Sequence, residues 1–427
     1  MQLTVKTLLN ALQPCAGFVY QAVQLHRRQG GRAAWIEVTV VAHAAIGAKC
    51  SRCHKPAPGY DQLATRRWVS VPILAVATWM RYAPRRVECA EHGVVVEDVP
   101  WSEGKRSVTK PMMGFLARWA RRLSWRETAT VFGTSWDRVY RSVEWYVQWG
   151  LAHRQLTDIA AIGVDEIYWG KSHGADRFLT VIYQIDAGCR RLLWVGRKRT
   201  EATLRRGFAV LGPKVVGALR FIATDMWRAF ENVVAAEAGQ ALHVLDRFHI
   251  TMHLNQAVDE VRRAESARLR AAASGQAAYL KAMRWKLLRR GSRVRGRARG
   301  QLNALVASKL DTARAWILKE AFEHFWTYTS LTWARYFLDY WTWRALRSRL
   351  KPMQKVARML RTHQALLFNW FKAKGEISTG AVEGLNNKIR VVTRRSYGFR
   401  TFEAMEIALY HTLGRLPEPD ELTHRFC

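Results

Sequence analysis

Three acidic residues of this 427-residue chain are candidates for a site in which carboxylates bind a metal ion. Asp165 ends the apolar run DIAAIGV, Asp225 ends ALRFIATD, and Glu383 lies in STGAVEGLNNKIRVVTRRSYGFRTF. Two neighbouring carboxylates repel each other unless a cation lies between them, so their natural occupant is a divalent metal. Each acid also has an ordinary alternative. Asp225 would cap a helix, Asp165 would lie in a turn, and Glu383 would pair with a basic neighbour on the surface.

A cationic run begins five residues after Glu383 and consists of Lys388, Arg390, Arg394, Arg395 and Arg400. The segment from Thr379 to Arg394 contains no proline, which predicts a helix with the acid on one turn and the cations on the next two. A carboxylate beside so much positive charge suggests a site that holds metal and phosphate together.

Two short cysteine and histidine pairs predict a zinc site. Cys50 and Cys53 form a C-x-x-C pair, and Cys89 and His92 follow after a 35-residue excursion. Two such pairs can supply four ligands to one tetrahedral zinc. Strand-like runs in the excursion suit a zinc ribbon, with the ribbon hairpin between the pairs. The alternatives are unrelated thiols beside a surface histidine, or His54 as a substitute for His92.

Three helices are predicted next, in PMMGFLARWARRL, WRETATVFG and SWDRVYRSVEWYVQWG. A glycine-containing turn separates the last two, and Ser135 is a good N-cap for the third helix. This arrangement resembles a helix-turn-helix, which would bring Trp136, Arg138 and Arg141 to the major groove. An ordinary three-helix bundle would give the same pattern.

From Thr157 the pattern changes to strands. Three strand-like runs follow one another without a helix, which predicts an antiparallel meander. A helix, a strand, a helix and a strand come after it. This is the element order of an RNase H-like α/β sheet covered by helices on both sides. Asp165 falls on the first strand and Asp225 at the end of the fourth, so adjacent parallel strands would bring both carboxylates to one edge.

Residues 251 to 375 are predicted to be helical almost throughout. The arginine-rich stretch 284 to 299 is a candidate phosphate-contacting segment. The aromatic run FEHFWTYTSLTWARYFLDYWTWRAL has helical spacing. Burial in a helical bundle explains these aromatic residues better than base stacking does.

The charge balance points to a polyanionic partner. The 68 Lys+Arg residues against 34 Asp+Glu leave a formal charge of +34, spread along the chain. A membrane surface is the competing polyanion, but no apolar run approaches the roughly 20 residues of a spanning helix. We therefore expect no membrane association and a cytoplasmic, nucleoid-associated protein. Six cysteines are too few for a disulfide scaffold in a chain of this length.

Four blocks together resemble a known family. IGVDEIYWGKSH, FIATDMWRAF, LDRFHI and STGAVEGLNNKIRVVTRRSYGFR look like the blocks of insertion-sequence transposases of the ISL3 family. The resemblance implies that Asp165, Asp225 and Glu383 form a DDE triad, with a helical insertion before the glutamate. His249 in DRFHI is close in sequence to the second strand of this site, where it would contact the scissile phosphate or orient a ligand; the alternative is a satisfied core histidine. The family more often has cysteine at the position of His92.

The resemblance further implies metal-dependent phosphodiester chemistry. Two Mg²⁺ or Mn²⁺ ions roughly 4 Å apart, with Asp165 bridging them, would support cleavage at transposon ends and joining to target DNA. Double-stranded DNA is then the partner, and the lysine and arginine residues after Glu383 would hold its phosphates. A homo-oligomer, a dimer or higher, is expected from the reaction class. Zn²⁺ would occupy the N-terminal cysteine and histidine site.

These inferences give five expected regions: a zinc-ribbon-like domain (1–100), a helix-turn-helix DNA-binding domain (101–152), the first part of an RNase H-like core (153–250), a helical insertion (251–375) and the final part of the core (376–427). Two other functions remain open at this point. One is an RNase H-like nuclease or resolvase that cuts without joining. The other is a non-catalytic, zinc-dependent DNA-binding regulator.

Overall fold

The computed structural model describes residues 4–27, 33–170, 177–373, 375–377 and 380–419. Two parts of the motifs quoted above, residues 171–173 and 378–379, lie outside the described residues. The chain divides into two compact units. Unit 1 comprises Met1–Arg154 and Val392–Cys427, and unit 2 comprises Gln155–Val391.

The strands are β1 (Phe18–Arg27), β2 (Ala33–Ala42), β3 (Gly59–Gln62), β4 (Arg66–Ile73), β5 (Val76–Tyr82), β6 (Arg85–Cys89), β7 (Gly93–Val96), β8 (Ala161–Tyr168), β9 (Phe178–Asp186), β10 (Cys189–Arg197), β11 (Phe221–Thr224) and β12 (Leu242–Leu245). The helices are α1 (Val5–Leu12), α2 (Lys110–Ala120), α3 (Trp125–Val131), α4 (Trp136–His153), α5 (Glu201–Leu211), α6 (Pro213–Ala218), α7 (Arg228–Glu237), α8 (Arg247–Ala271), α9 (Gln276–Leu287), α10 (Gly296–Val306), α11 (Asp311–Phe322), α12 (Leu331–Arg347), α13 (Lys351–Thr362), α14 (Gln364–Lys372), α15 (Gly380–Arg395) and α16 (Phe402–Leu413).

The first part of unit 1 contains two sheets. One has the order β1-β2-β5-β4, and the other is the three-stranded β3-β6-β7. Phe18, Tyr82 and Trp101 pack edge to face in the core of the larger sheet, with ring centroids 5.0 to 5.6 Å apart. The hairpin expected between the two cysteine pairs is present as β4–β5. It belongs to the larger sheet, because β5 pairs in parallel with β2.

The helical part of unit 1 has the three helices that the sequence predicts. The Ser124 hydroxyl and the Glu127 carboxylate form a capping box at the start of α3, and the Ser135 hydroxyl accepts a hydrogen bond from Arg138 N–H at the start of α4. Helices α2, α3 and α16 pack against α4. The resulting apolar contacts bury Val139, Val143 and Tyr146 completely.

Unit 2 is built on a five-stranded mixed sheet of order β10-β9-β8-β11-β12. Strands β8, β9 and β10 form the predicted antiparallel meander, and β11 runs parallel to both β8 and β12. Alternate residues of β8 face opposite sides of the sheet. Ile162 and Val164 point into a core that also contains residues of α5, α6 and α7.

The other side of β8 carries α15. A Cβ atom on Gly163 would lie 2.4 Å from Cγ2 of Val382, which is closer than real Cβ contacts come. Glycine at this position therefore lets α15 lie directly against the strand. The same alternation places Asp165 on the α15 side of the sheet.

Seven α-helices, α8 to α14, form a bundle in the described part of the chain between β12 and α15. Its core includes Phe322, Phe325 and Trp341, so part of the aromatic run is buried as predicted. Other aromatic residues of this run are exposed, and for these the prediction of burial was wrong. Trp333 and Tyr336 of α12 expose 64% and 66% of their surface. Within the described ranges, no helix is long and apolar enough to span a membrane.

Candidate metal centre and acidic site

Cys50, Cys53, Cys89 and His92 come together in unit 1, and we call them the Cys/His cluster. Their ligand atoms all lie within 4.8 Å of one another. The Sγ atoms of Cys53 and Cys89 are 3.7 Å apart, and Nδ1 of His92 lies 3.6 Å from Sγ of Cys89 and 3.8 Å from Sγ of Cys50. Zn–S bonds of about 2.3 Å in a tetrahedron give S···S edges of about 3.8 Å, so the cluster has the size of a zinc site.

The surroundings of the Cys/His cluster favour metal binding. Cys50 is fully buried, and the backbone N–H of Arg52 donates to its sulfur. Backbone hydrogen bonds, first from Cys53 and then from Arg52, lower the pKa of the Cys50 thiol to about 6 despite its burial. The sulfur is therefore largely thiolate at neutral pH, which is the form that binds zinc. His54 is directed elsewhere, because its Nδ1 contacts Asp98 Oδ2 at 2.9 Å.

The acidic site of unit 2 contains Asp165, Asp225 and Glu383 together with the side chains that contact them. Asp165 lies on β8, and Asp225 directly follows β11. The parallel pairing of these strands matches Ala223 with Gly163. Continuing that register by two residues brings Asp225 beside Asp165 at the same edge of the sheet.

Asp165 is held by three groups. The side-chain amide of Asn386 donates to its Oδ2 at 2.5 Å, and the backbone N–H of Glu166 donates to its Oδ1 at 2.7 Å. Nε2 of His249 lies 3.7 Å from Oδ1. Burial opposes the charged imidazole, but the Asp165 carboxylate outweighs it and raises the pKa of His249 to about 9. The His249 imidazole is therefore protonated at neutral pH.

Asp225 shares a cation with Glu166. One guanidinium nitrogen of Arg199 lies 3.3 Å from Asp225 Oδ2, and another pairs with Glu166. The Arg199 guanidinium also lies 4.2 Å from the centre of the Trp227 ring. Burial raises the pKa of Asp225, and burial together with the Asp225 charge raises the pKa of Glu166 to about 8. This part of the site thus contains more carboxyl groups than the cationic side chains of the protein neutralise.

Glu383 lies in the first turn of α15 and is 23% exposed. Its Oε1 accepts from Nη1 of Arg390 at 3.0 Å. Asn386, one turn further along α15, accepts from the buried Tyr183 hydroxyl at 2.8 Å. Burial, and then the charges of Asp165 and Glu383, raise the pKa of Tyr183.

The three carboxylates are less tightly gathered than the Cys/His cluster. Among the described residues, only that cluster brings three or more such ligand atoms within 4.8 Å of one another. In the acidic site each carboxylate instead contacts a nitrogen of the chain, from His249, Arg199 or Arg390.

Comparison with known proteins decides the family. The ISL3 model of DDE transposases, described as "Transposase", matches residues 162–409. The chain belongs to the ISL3 family of transposases. The transposase for insertion sequence element IS1001 from Bordetella parapertussis is 25% identical over 84% of this chain and 85% of its own length. The transposase for IS1557 from Mycobacterium tuberculosis (strain CDC 1551 / Oshkosh) is 24% identical over 93% of each chain.

The resemblance found in the sequence motifs is thus confirmed. As an ISL3 transposase, the chain is an insertion-sequence enzyme that catalyses DNA transposition, and the DDE family implies a divalent metal and DNA binding. The matched residues contain the acidic site. The Cys/His cluster lies N-terminal to them and suggests Zn²⁺.

The cationic residues that follow Glu383 have different surroundings. Lys388, Arg394 and Arg400 are exposed. Arg390 pairs with Glu383 and also donates to Asn387. Arg395 differs from the expectation of a free phosphate contact, because its Nη1 donates to the carbonyl oxygens of Arg121 and Arg122 just after α2. This guanidinium satisfies carbonyl groups at a helix end, where a cation is also favoured electrostatically.

The residues predicted to read DNA lie at the start of α4. Trp136 is 48% exposed, and its ring stacks on that of Tyr140 at 5.3 Å. The Arg138 guanidinium donates to the Thr134 hydroxyl. Arg141 is exposed and pairs with Asp137 and Glu144 in the same helix.

Four residues of the acidic site of this transposase were not identified from the sequence: Asn386, Tyr183, Arg199 and Glu166. Asn386 could have been noticed in the sequence, since two adjacent amides one turn after an acid are unusual in an apolar helix face. Glu166 could have been noticed because it directly follows Asp165. The sequence gave no indication of Tyr183 or Arg199, because their contacts with the acids depend on strand pairing and on the docking of α15.

Proposed function

We propose that Asp165, Asp225 and Glu383 bind the divalent metal of this transposase, Mg²⁺ or Mn²⁺, within an RNase H-like core. The observation that supports this most strongly is the docking of α15 on β8. Val382 packs on Gly163, and Asn386 donates to Asp165. The helix that carries Glu383 is thereby attached to the strand that carries Asp165. The sheet order β10-β9-β8-β11-β12 also agrees with an RNase H-like fold.

The residues present fit a hard divalent cation. All three are carboxylates, which provide the oxygen ligands that Mg²⁺ and Mn²⁺ prefer. Burial and neighbouring carboxylates raise the pKa of Glu166 to about 8, which is the expected sign of an acidic site in which a cation would be stabilising. A divalent ion bound here would supply Lewis-acid chemistry at a scissile phosphate.

The chain's own side chains prepare this site. Asn386 fixes one oxygen of Asp165 and is itself held by the Tyr183 hydroxyl, so the carboxylate has a defined orientation. His249, protonated at neutral pH, is positioned to hold Asp165 or a phosphate oxygen of the DNA. Arg199 pairs with Asp225 and Arg390 with Glu383, so each of these carboxylates has a cation beside it.

The proposed reaction is cleavage at the transposon ends followed by transfer of those ends to target DNA. The terminal inverted repeats would be bound by the zinc-ribbon-like region 1–100 and the helix-turn-helix region 101–152, with Trp136, Arg138 and Arg141 at the groove. Region 153–250 and region 376–427 would form the core, and 251–375 the insertion. Lys388, Arg394 and Arg400 would contact phosphates. A homo-oligomer bound to the nucleoid in the cytoplasm completes the proposal.

A strand-transfer assay with labelled transposon-end DNA and a supercoiled target tests this proposal. We expect Asp165→Asn, Asp225→Asn and Glu383→Gln each to lower end cleavage and joining by about a thousandfold or more, because losing metal contacts removes several kcal/mol of transition-state stabilisation. Glu376→Gln is the matched control. This acid is 47% exposed, shortly precedes α15 and pairs with Arg220, so its loss should leave activity unchanged.

Two results would contradict the proposal. Full joining by Asp165→Asn would mean that the carboxylate is not part of the chemistry. Cleavage without any joined product from the wild-type protein would favour a nuclease over a transposase at this site. A loss of activity in Glu376→Gln equal to that in Glu383→Gln would show that the assay reports general damage to α15.

A further inference from the structure

The outer side of α12 carries four aromatic side chains that are not packed in the core of the bundle. They are Trp333, Tyr336, Tyr340 and Trp343, exposed by 64%, 66%, 59% and 49%. We call these four residues the α12 aromatic face. Leu338 and Trp341 bury the opposite side of the same helix. Large aromatic groups exposed in a row are a feature that monomeric surfaces rarely carry without a partner.

The four rings form a single row. With 100° of rotation per residue, their positions fall within an arc of about 80° on the helix surface. With a rise of 1.5 Å per residue, the row is about 15 Å long. Stacked bases repeat about every 3.4 Å, so the row has room for a few nucleotides.

Positive charge accompanies these rings. The guanidinium of Arg347 lies 4.5 Å from the centre of the Trp343 ring, and that of Arg344 lies 5.7 Å from the centre of the Tyr340 ring. The Tyr340 and Trp343 rings are nearly parallel, at 14°. In the part of the chain that the structure describes, neither Arg344 nor Arg347 has a carboxylate partner. Aromatic rings interleaved with cations are the composition of single-strand binding surfaces.

We propose that the α12 aromatic face binds unpaired DNA bases by stacking, while Arg344 and Arg347 contact the phosphates of the same strand. Unpaired bases are required because paired bases in a duplex have their ring faces covered by their neighbours. A second copy of the chain is a poorer occupant, since the same two arginines on both faces, and a formal charge of +34 per chain, would repel. The inference builds on the transposase function proposed above and assigns one DNA contact to the inserted bundle.

The test compares full-length variants by fluorescence anisotropy with two probes, a labelled oligo-thymidine strand and a blunt duplex. Trp333→Ala with Trp343→Ala removes two stacking rings, and we expect at least about tenfold weaker binding of the single strand with unchanged duplex binding. Trp333→Phe with Trp343→Phe keeps a ring at each position and should retain most of the affinity.

Val210→Ala is the control. Val210 of α5 is an apolar side chain that is 51% exposed, and it lies on a different helix from the row on α12. Its removal should leave single-strand affinity unchanged.

The salt dependence of single-strand binding distinguishes the contribution of the aromatic rings from that of the two arginines. Arg344→Gln with Arg347→Gln should reduce the slope of log affinity against log salt by about 1.4, since two phosphate contacts to a single strand are lost. The tryptophan variants should weaken binding at every salt concentration and leave this slope unchanged, because the rings carry no charge.

Three outcomes would overturn the proposal: unchanged single-strand binding by the double alanine variant, an equal loss of duplex binding, or a change of oligomeric state in light scattering with unchanged single-strand affinity. The last would assign the face to a second copy of the chain. Failure of the proposed catalytic role is distinguishable, because Glu383→Gln would then still cleave DNA whatever happens to single-strand binding.

Discussion

The ligands of the Cys/His cluster come from two short segments, whereas the carboxylates of the acidic site come from three segments far apart in sequence. Cys50 and Cys53 share one turn, and Cys89 and His92 share the turn after β6. Each pair is positioned by local backbone, and the four ligand atoms lie within 4.8 Å of one another. The acidic site depends instead on β8, β11 and α15 meeting correctly, and its carboxylates are paired with cations of the chain.

This difference has an electrostatic consequence. Cysteine thiols and a histidine ring can lie close together at modest electrostatic cost, because both groups can be neutral. Three carboxylates cannot, so Arg199, Arg390 and His249 balance them. A metal entering the acidic site must displace these cations, whereas one entering the Cys/His cluster displaces only protons.

The largest effect is expected at the Cys/His cluster. Cys89→Ser should reduce bound zinc from about one per chain to near zero and unfold the β3-β6-β7 sheet, since structural zinc sites contribute about 10–16 kcal/mol of apparent binding free energy. Metal analysis and hydrogen exchange measure the two consequences. Cys189→Ser, at the β9–β10 turn, is the control and should change neither.

The separate origins of the ligands also predict that the Cys/His cluster and the acidic site bind their metals independently. Cys89→Ser should leave Mn²⁺ binding to unit 2 unchanged, because no ligand of the acidic site comes from the affected sheet. His92→Cys should keep its zinc, since a fourth thiolate is an equally good ligand. Zinc-free wild-type protein would refute the assignment of the cluster.

An intermediate effect is expected from Asn386→Ala. Groups that orient metal ligands typically contribute 10–100-fold to metal affinity, so Mn²⁺ titration should show a loss of about that size. The change also leaves the buried Tyr183 hydroxyl without its acceptor, at a cost of about 1–3 kcal/mol of stability. Adding Tyr183→Phe should recover stability without recovering metal affinity. The exposed neighbour Asn387 gives the control, Asn387→Ala.

If metal affinity returned together with stability in the Asn386→Ala, Tyr183→Phe double variant, Asn386 would act only through packing. The acidic site would then be less dependent on the docking of α15 than we propose, and the contrast with the locally built Cys/His cluster would be smaller.

The smallest effect is expected from Arg199→Gln. This cation competes with metal for Asp225, and a partly exposed ion pair contributes about 0.2–1 kcal/mol, so its removal should tighten Mn²⁺ binding by up to about fivefold. Arg205→Gln, which breaks the exposed pair with Glu237 on the surface of unit 2, should not change it. Weaker Mn²⁺ binding by Arg199→Gln would mean that this arginine supports the carboxylates rather than replacing the metal.

Local sequence patterns predicted the parts of the fold that depend on nearby residues. The β8–β9–β10 meander, the position of Asp225 after a strand, and the capped start of α4 at Ser135 all agree with the structure. Local pattern did not identify Glu383 as a site residue. Its neighbours allowed an ordinary surface ion pair, and only the resemblance of the surrounding block to the transposase family indicated a role for it in the site. Its pair with Arg390 is the kind of contact that this ordinary alternative predicts.

Long-range pairing accounts for what the sequence did not reveal. The parallel pairing of β5 with β2 joins segments about forty residues apart, so the sequence did not show that the hairpin between the cysteine pairs belongs to a sheet with β1 and β2. Arg199 reaches the acids only because β10 and α5 are placed by the sheet. The aromatic residues of α12 span an arc of about 160° on the helix surface, from exposed Trp343 to buried Trp341, so helical spacing alone could not show which part of this aromatic side is buried.

The central claim is that Asp165, Asp225 and Glu383 share bound divalent metal. Anomalous diffraction from crystals of the protein with Mn²⁺ and transposon-end DNA tests it most directly. We predict manganese peaks about 2.2 Å from carboxylate oxygens of all three residues, with Arg199 and Arg390 moved off Asp225 and Glu383. Manganese bound without the Glu383 carboxylate, or no manganese at this edge of the sheet, would contradict the account.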